Sequence, residues 1–329
     1  MEKKQDNLME ISDLTVRYNT DDAVVHAVNN FNLKLVRGEA RGLVGETGAG
    51  KTTLALSILR LLPERVGEVT DGSIVYDGQE LLNLPEAEML PLRGKRISMI
   101  FQDPMTSLNP TQTVGDQILE VLNLHFPEMT REEKNKRVDE MMTLVGIPPQ
   151  RKKSFPHEFS GGMKQRVVIA MALVAEPELL LADEPTTALD VTIQAQILEL
   201  MKQLREKFNT SVMLITHDLG VVAQFCDSVS VVYAGRVVEY GPVEIVFQRK
   251  ENHPYTAGLF NCIPNLHDDQ PRLHPIAGHM ADPRVEYKGC CFADRCEYAT
   301  ERCRTEAPSM HVCGEHGILC HRYAEKEEF

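Results

Sequence analysis

Residues 45–53 read Gly45-Glu46-Thr47-Gly48-Ala49-Gly50-Lys51-Thr52-Thr53 and satisfy the phosphate-loop pattern G-x-x-x-x-G-K-[ST] at every fixed position. Residues 40–44 before this loop have the pattern of a short strand, and residues 54–62 after it have the apolar spacing of a helix. Its glycines permit positive φ and turn backbone N–H groups inward, at a helix N-terminus whose dipole favours an anion. The stretch therefore predicts a phosphate cradle between a strand and a helix.

Two side chains of this loop carry the expected chemistry. Lys51 is expected to reach the β- and γ-phosphates of a nucleotide, and the Thr52 hydroxyl is expected to ligate Mg²⁺. The alternative is a glycine-rich turn that holds no ligand. The strand, the helix and the Lys-Thr pair together favour the cradle.

Composition and charge limit the number of domains, the binding partners and the cellular compartment that the chain can have. The 329 residues suffice for one large or two modest domains, and two unequal parts are expected. A net charge of -13 gives no basic footprint for nucleic acid or anionic lipid. No apolar run reaches bilayer length and the N-terminus lacks a signal-peptide core, so a soluble cytoplasmic chain is expected. Six of the eight cysteines lie in the last forty residues, and a reducing compartment disfavours disulfides among them.

The chain on either side of the phosphate loop predicts strands. Residues 14–18 and 28–36 alternate as sheet strands do, and Tyr18 by itself has the ordinary place of a strand aromatic. The pairs Asp71-Gly72 and Asp77-Gly78 flank residues 73–76, which predicts an antiparallel hairpin-like element. Residues 97–101 read as a buried strand that ends at Gln102.

A helical insertion follows, from residue 103 to about 162. Thr130 and Glu133 form the T-x-x-E pattern of a capping box at the start of one helix. The insertion ends at Ser160-Gly161-Gly162, directly before an apolar helix. This segment predicts a second helix N-terminus able to receive an anion.

Acidic residues end the next predicted strand. Residues 179–183 are apolar and deliver Asp183 and Glu184 at a carboxyl end, where open α/β sheets place their ligands. The pair indicates a metal ligand beside a general base. Asp190 is expected to cap the helix over 191–208, and His217 follows the strand over 211–216. A single histidine at a strand end is more often structural than catalytic.

In order and spacing these motifs resemble the nucleotide-binding subunits of ABC transporters. The resemblance implies an α/β P-loop NTPase (RecA-like) core with an antiparallel β element and a helical insertion, plus a small C-terminal cysteine-rich region. It implies domain bounds of 1–250, with the helical subdomain at about 103–162, and a C-terminal extension over 251–329. The positions it assigns are Tyr18 for adenine stacking, Gln102 for the Q-loop, Ser160 to Gln165 for the signature, Asp183 and Glu184 for Walker B, Ala188 to Asp190 for the D-loop, and His217 for the switch histidine. Phe159 and Thr187 depart mildly from the usual residues.

The resemblance also implies a mechanism in which two ATPs are sandwiched between two subunits. Thr52, Gln102 and Asp183 hold Mg²⁺ in that mechanism, and Gln102 also senses the γ-phosphate. Glu184 is the general base and His217 orients the attacking water. The nucleotide-binding residues it implies are Tyr18, residues 45–53, Ser160, Gly161, Gly162, Gln165 and Asp190.

Residues after the nucleotide-binding part of the chain indicate a particular branch of the family. His253-Pro254-Tyr255-Thr256 and Cys262-Ile263-Pro264 look like the ATPase subunits of oligopeptide, dipeptide and nickel importers. The implied partners are a second ABC ATPase in a heterodimer, two transmembrane permease subunits and, indirectly, an extracytoplasmic solute-binding protein, at the cytoplasmic face of the cell membrane. A homodimer stays open. Peptides are the first substrate class. Nickel or another solute, an inactive scaffold, and a non-transport ATPase acting on nucleic acid or ribosomes are the alternatives, the last disfavoured by the acidic charge.

The cysteine spacing at the C-terminus resembles an iron–sulfur motif of the same importers. Cys290, Cys296, Cys303 and Cys320 are implied to hold a [4Fe–4S] cluster, which requires four thiolates. Cys291 and Cys313 are surplus, and either could replace one of the four. Zinc is the rival, although only Cys291-x₄-Cys296 has its usual knuckle spacing. Scattered thiols are the third reading. Because the tail has little obvious apolar material, a cluster is expected to hold its fold.

Overall fold

The computed structural model describes residues 6–187, 189–248, 251–262 and 275–324, without the side chains of residues 104 and 105. Its strands are β1 (Asn7–Asn19), β2 (Val24–Val36), β3 (Ala40–Val44), β4 (Gly67–Tyr76), β5 (Gln79–Glu80), β6 (Ile97–Ile100), β7 (Leu179–Asp183), β8 (Ser211–Thr216), β9 (Ser228–Tyr233), β10 (Arg236–Pro242), β11 (Met310–Cys313) and β12 (His316–Leu319). Its α-helices are α1 (Lys51–Ile58), α2 (Glu86–Met89), α3 (Pro104–Ser107), α4 (Val114–His125), α5 (Arg131–Leu144), α6 (Gly161–Leu173), α7 (Val191–Phe208), α8 (Leu219–Phe225), α9 (Val243–Gln248), α10 (Pro254–Asn261) and α11 (Glu301–Thr305). Short 3₁₀ turns cover Pro149–Lys153, Pro156–Glu158, Ala293–Arg295 and His321–Tyr323.

The described chain divides into two compact units. The first unit takes its described residues from Met1–Leu8, Leu35–Ala40 and Asn83–Ile215. The second takes them from Met9–Lys34, Arg41–Leu82 and Thr216–Phe329. The acidic strand end and the predicted signature therefore belong to the first unit, and the phosphate loop belongs to the second.

The first unit is built on parallel strands covered by helices. Strand β7 pairs in parallel with β6 on one side and with β8 on the other. All five residues of β7 are buried, as in a strand that is covered on both faces. Parallel pairing brings the carboxyl ends of the three strands to one edge of the sheet. That edge carries Gln102 after β6 and Glu184 after β7.

The helical insertion confirms the predicted capping box. The Thr130 hydroxyl accepts a hydrogen bond from the Glu133 backbone N–H at 3.3 Å, and the Glu133 carboxylate accepts one from the Thr130 N–H at 2.7 Å. Helix α5 begins directly after Thr130 and buries Val138, Met141 and Met142. The cap thus fixes the helix start, and apolar side chains on one face fix its packing.

The second unit contains two sheets. One has the order β2-β1-β4-β5, with β4 antiparallel to both β1 and β5. In the other, β3 is parallel to β9, and β10 is antiparallel to both β9 and β12. The hairpin of β11 and β12, from the C-terminal tail, therefore extends a sheet that begins beside the phosphate loop.

One detail of β4 differs from the sequence prediction. Asp71 and Gly72 were expected to form a turn before the strand, yet they lie inside β4. The pairing of β1 with β4 is irregular between Ser12 and Thr15, and Gly72 has a φ of 95°. A Cβ on Gly72 would lie 2.4 Å from the Leu14 Cα. The glycine therefore serves a close approach within an irregular strand pair.

Candidate functional site

The phosphate loop of the second unit leads from β3 into α1, as the sequence predicts. Gly50 is the N-cap of α1 with a φ of 94°, and Gly48 has a φ of 83°. A Cβ on Gly45 would lie 2.2 Å from the Val232 carbonyl oxygen, and one on Gly50 would lie 2.1 Å from the Ala27 carbonyl oxygen. Larger residues at 45 and 50 would collide with backbone, so this loop geometry requires glycine there.

Lys51 lies within the loop that it is expected to serve. Its side chain is buried, and its Nζ donates to the carbonyl oxygens of Gly45 at 2.6 Å and Glu46 at 3.0 Å. The ammonium therefore stays close to the backbone that would surround a phosphate. Thr52 is exposed in the first turn of α1, where its hydroxyl is a hard oxygen ligand of the kind that Mg²⁺ prefers.

Tyr18 lies beside the same helix. Its hydroxyl donates a hydrogen bond of 3.2 Å to the Thr53 Oγ1 atom, although the two residues are 35 positions apart. The Tyr18 ring also contacts the strand at Gly67, where a Cβ would lie 3.1 Å from the Tyr18 Cε1 atom. The structure thus brings the predicted adenine-stacking residue to the phosphate loop.

The acidic pair of the first unit lies at the end of β7. Asp183 is 2 % exposed and pairs with Ile215 in the parallel ladder. Glu184 follows with a φ of 47°, a left-handed conformation that is uncommon for a glutamate. Its backbone N–H donates to the Ile215 carbonyl at 2.8 Å. Such backbone conformations often occur at functional sites, where the surrounding structure maintains them.

Two side chains hold the Glu184 carboxylate. Gln102 Nε2 donates to Glu184 Oε2 at 3.2 Å, and the Thr187 hydroxyl donates to the same oxygen at 2.9 Å. Gln102 was a predicted site residue. Thr187 was assigned no role from the sequence, although a hydroxyl three residues after a predicted base is a signal that could have identified it. The carboxylate is oriented while it stays close to solvent.

The predicted signature forms the start of α6. Ser160 is the N-cap, and its hydroxyl accepts from the Met163 N–H at 3.4 Å. Gly161 is exposed, whereas a Cβ on Gly162 would lie 2.6 Å from the Ile193 side chain of α7. Gln165, in contrast, is fully buried, so its side chain does not face solvent.

The remaining predicted site residues lie directly before a helix or directly after a strand. Asp190 caps α7 by accepting from the Ile193 N–H at 3.0 Å. Ala188 lies outside the described residues. His217 is exposed directly after β8, and Asp218 caps α8 behind it with bonds of 2.7 and 3.3 Å from Gly220 and Val221. The Asp218 cap therefore fixes the backbone direction next to His217.

The prediction of an iron–sulfur cluster on Cys290, Cys296, Cys303 and Cys320 was wrong. Within the described ranges, no group of three or more His, Cys, Asp or Glu side chains is placed to hold a metal ion. Burial raises the pKa of the Cys290 thiol to about 12 and also raises the pKa of Cys296 and of Cys320. Without a metal ion, these thiols are therefore protonated at neutral pH.

The tail is instead held by apolar packing that its composition concealed. Tyr255, Cys291 and Phe292 are buried in one cluster with core residues of β3, β9 and β10. Cys320 packs with Ile318 and Tyr323 in a smaller cluster. The cysteines therefore act as small apolar side chains.

A buried polar network supports the same packing. Glu239, on β10, is fully buried, and its carboxylate accepts from His316 Nε2 at 2.7 Å and from Asn252 Nδ2 at 2.9 Å. Its other oxygen accepts from the His253 backbone N–H at 2.9 Å. The carboxylate thus joins β10, β12 and the start of α10.

Sequence comparison matches two families. The family described as "ABC transporter" matches residues 28–187, and the "Oligopeptide/dipeptide transporter, C-terminal region" matches residues 238–303. The chain is 47% identical over 326 residues to the oligopeptide transport ATP-binding protein OppD of Haemophilus influenzae, covering 98% of each chain. It is 46% identical over 318 residues to the dipeptide transport ATP-binding protein DppD of Bacillus subtilis, covering 96% of this chain and 94% of that protein.

Solved structures agree with these matches. The ATP-binding cassette MJ0796, as a dimer in a post-hydrolysis state bound to ADP and Pi, superposes with a TM-score of 0.64 at 28% identity, covering 71% of this chain and 98% of that one. CbiO1 from Clostridium perfringens, part of the transporter complex cbiONQ, gives a TM-score of 0.65 at 30% identity, covering 75% of this chain and 92% of that one. This chain therefore belongs to the ABC transporter family of P-loop ATPases, in the branch that carries the oligopeptide/dipeptide transporter C-terminal region.

Proposed function

We propose that this chain is the ATP-hydrolysing subunit of an ABC importer that takes up peptides through partner permeases. The observation that carries the catalytic part is the Glu184 carboxylate, oriented by Gln102 and Thr187 next to the buried Asp183. The similarity to OppD and DppD supports peptides as the substrate class. Nickel or another solute of the same importer family is the alternative.

The glycine-walled loop fits the phosphate groups of a nucleotide. As ligands of Mg²⁺ we assign the Thr52 hydroxyl, Gln102 and Asp183, because Mg²⁺ prefers hard oxygen ligands. Mg²⁺, when bound, neutralises charge that develops on the phosphates.

Each protein group has a proposed role. Lys51 binds the β- and γ-phosphates, Tyr18 stacks on adenine, and Glu184 accepts the proton of the attacking water. His217 orients that water, and Gln102 responds to the γ-phosphate. The Glu46, Thr47, Ala49 and Thr53 backbone, with Ser160, Gly161, Gly162, Gln165 and Asp190, completes the proposed nucleotide contacts.

The proposed partners follow from family membership. They are a second ABC ATPase that supplies the opposing signature, two transmembrane permeases and, indirectly, an extracytoplasmic binding protein. Among the residues that the structure describes, no helix has the length and apolar character needed to cross a membrane. We place the chain at the cytoplasmic face of the membrane through the permeases. Residues 1–250 form the nucleotide-binding domain in this proposal, with the helical subdomain at about 103–162 facing the permeases, and residues 251–329 form the extension.

Reconstitution tests this proposal. The chain, its partner ATPase and the permeases are placed in liposomes with the binding protein, and ATP-dependent uptake of a labelled tripeptide and of ⁶³Ni²⁺ is measured. Peptide uptake that disappears in the Glu184→Gln variant is expected. Nickel uptake without peptide uptake would favour the alternative substrate.

The partner question has its own measurement. A chain that needs a different ATPase is expected to sediment mainly as a monomer and to hydrolyse ATP weakly until that partner is added. Cooperative hydrolysis by this chain alone would favour a homodimer instead.

A further inference from the structure

Arg295, in the C-terminal tail, contacts the phosphate loop directly. Its Nη1 atom lies 2.7 Å from Glu46 Oε2, and its Nη2 atom lies 3.1 Å from Glu46 Oε1. This is a bidentate guanidinium–carboxylate pair, which constrains geometry as well as charge. The Arg295 side chain is only 4% exposed and the Glu46 side chain is 25% exposed, so the guanidinium group is shielded from water while the carboxylate is partly exposed. Both residues belong to the second unit, although 249 positions separate them.

The tail holds Arg295 firmly. Its Nε donates to the Ala277 carbonyl at 3.1 Å, and its Nη2 donates to the Ile276 carbonyl at 3.4 Å. The guanidinium also lies 5.7 Å from the Tyr233 ring centroid and 5.9 Å from that of Phe292. Aromatic rings and backbone carbonyls of the second unit thus fix the position of the guanidinium independently of its contact with the loop.

All three polar groups of Glu46 are bound. Its backbone N–H donates to the Tyr255 hydroxyl at 2.9 Å, and its carbonyl accepts from Lys51 Nζ at 3.0 Å. Its carboxylate is held by Arg295. Because Tyr255 is fully buried, the Glu46 amide has one defined orientation. A chain of contacts therefore runs from Arg295 through Glu46 to Lys51.

The pair also has an electrostatic consequence. Glu46 places a carboxylate in a loop whose proposed ligand carries several negative charges. An unpaired carboxylate there would repel the phosphates, and low dielectric strengthens that repulsion. The Arg295 guanidinium neutralises this charge and fixes the side chain.

We propose that Arg295, with Tyr255, is a positioning residue for nucleotide binding: the C-terminal tail sets the shape and charge of the phosphate loop through Glu46. This inference rests on the proposed role of the phosphate loop. In this proposal the C-terminal tail contributes to the ATP site and is more than a structural extension.

Binding of Mg-ATP and Mg-ADP to the full chain, measured by titration calorimetry, tests the proposal. Arg295→Ala is expected to weaken Mg-ATP binding about tenfold because Glu46 loses both its anchor and its counter-charge. Adding Glu46→Gln to that variant removes the unpaired carboxylate, so Mg-ATP affinity is expected to return to within about threefold of the wild type. A purely structural arginine would show no such recovery.

Arg304→Ala is the matched control. Arg304 pairs with Asp294 in the same tail, but its side chain is 52% exposed and Asp294 lies outside the phosphate loop. Unchanged nucleotide affinity is expected for this variant. An equal loss in Arg295→Ala and Arg304→Ala would show a general effect of the tail and would overturn the proposal.

Two further outcomes are decisive. If Arg295→Ala lowers the unfolding temperature without nucleotide but leaves Mg-ATP affinity unchanged, the role is only structural and the inference is overturned. Where the alanine variant does not fold, Arg295→Lys replaces it: about threefold weaker binding, reversed by Glu46→Gln, supports the proposal, and unchanged binding overturns it.

Lys51→Ala separates this inference from the proposed function. Loss of nucleotide binding in Lys51→Ala with normal binding in Arg295→Ala would reject the tail contact alone. Normal binding in Lys51→Ala would instead reject the phosphate-loop assignment on which both depend.

Discussion

Gln102 and Glu184 lie in hydrogen-bond contact, with 3.2 Å between the Gln102 Nε2 and Glu184 Oε2 atoms. The contact joins the ends of two neighbouring parallel strands, β6 and β7. Gln102 orients the carboxylate of the proposed base. It also lies directly before the helical insertion in the chain. A change at Gln102 can therefore reach the Glu184 carboxylate directly.

Glu184→Gln tests the proposed base. The variant keeps the size of the side chain and one acceptor oxygen for Gln102 and Thr187, but it cannot accept the proton of water. We expect Mg-ATP affinity to stay within about threefold of the wild type and turnover to fall by at least ~100-fold, the scale of a lost general base. Turnover is measured by phosphate release with the partner ATPase present.

Glu199→Gln is the control for that experiment. Glu199 lies on α7 of the same unit, where it accepts a hydrogen bond from Gln203 at 2.9 Å. The control is expected to hydrolyse ATP normally. Hydrolysis at more than about half the wild-type rate in Glu184→Gln would reject the assignment.

Gly45→Ala tests the close packing of the phosphate loop. The added methyl group would lie 2.2 Å from the Val232 carbonyl oxygen, a backbone atom that cannot rotate away. We expect the loop to be displaced and Mg-ATP affinity to fall by at least ~10-fold while the far-ultraviolet circular dichroism stays unchanged. Titration calorimetry measures the affinity, and a wild-type value would show that the loop tolerates a side chain there.

His253 predicts a pH dependence of stability. Burial lowers the pKa of His253 to about 4 from an ordinary value near 6.5. Between these values the unfolded chain binds a proton that the folded chain does not, so the free energy of unfolding rises with pH. The contribution is fully present above about pH 6.5 and is lost as the pH falls toward 4, by up to about 3 kcal/mol.

Urea unfolding at several pH values measures this effect. The matched variant is His253→Asn, because asparagine can still accept the Tyr255 N–H that His253 Nδ1 accepts at 3.1 Å. The variant is expected to show a shallower fall in stability between pH 6.5 and 4. Parallel profiles for the two proteins would show that the His253 pKa is not lowered by burial.

Cys290 and Cys291 are expected to react slowly with iodoacetamide in the folded protein. Burial raises the pKa of their thiols to about 12 and about 11, so little thiolate is present at pH 8. We expect alkylation at least ~100-fold slower than in the urea-unfolded chain, measured by mass spectrometry of the peptide that contains them. Equal rates in the two states would contradict the packing described for the tail.

Local sequence patterns predicted the elements whose causes are local. The capping box of Thr130 and Glu133 and the cap of Asp190 depend on side chains within three residues of the backbone they bind. The positive φ of Gly48 and Gly50 is likewise a property of the backbone of one loop. Such features depend on residues a few positions apart, so they can be predicted from the sequence.

The long-range contacts were not predictable in the same way. Gln102 meets Glu184 across 82 positions, and nothing in the spacing of either residue specifies that approach. The tail cysteines were misread because their spacing matched a motif, whereas a metal site also needs ligands close together in space, and no such group of three or more occurs among the described residues.

By itself, the sequence determined the phosphate loop, the acidic strand end, the caps and the family, because each depends on residue types at fixed short spacings. Only the tertiary structure decided that Glu184 is held by Gln102 and Thr187, that Cys291 and Cys320 pack in apolar clusters, and that Arg295 binds Glu46. The physical reason is that charge pairing, burial and pKa depend on distance in space. Folding sets that distance between residues far apart in the chain.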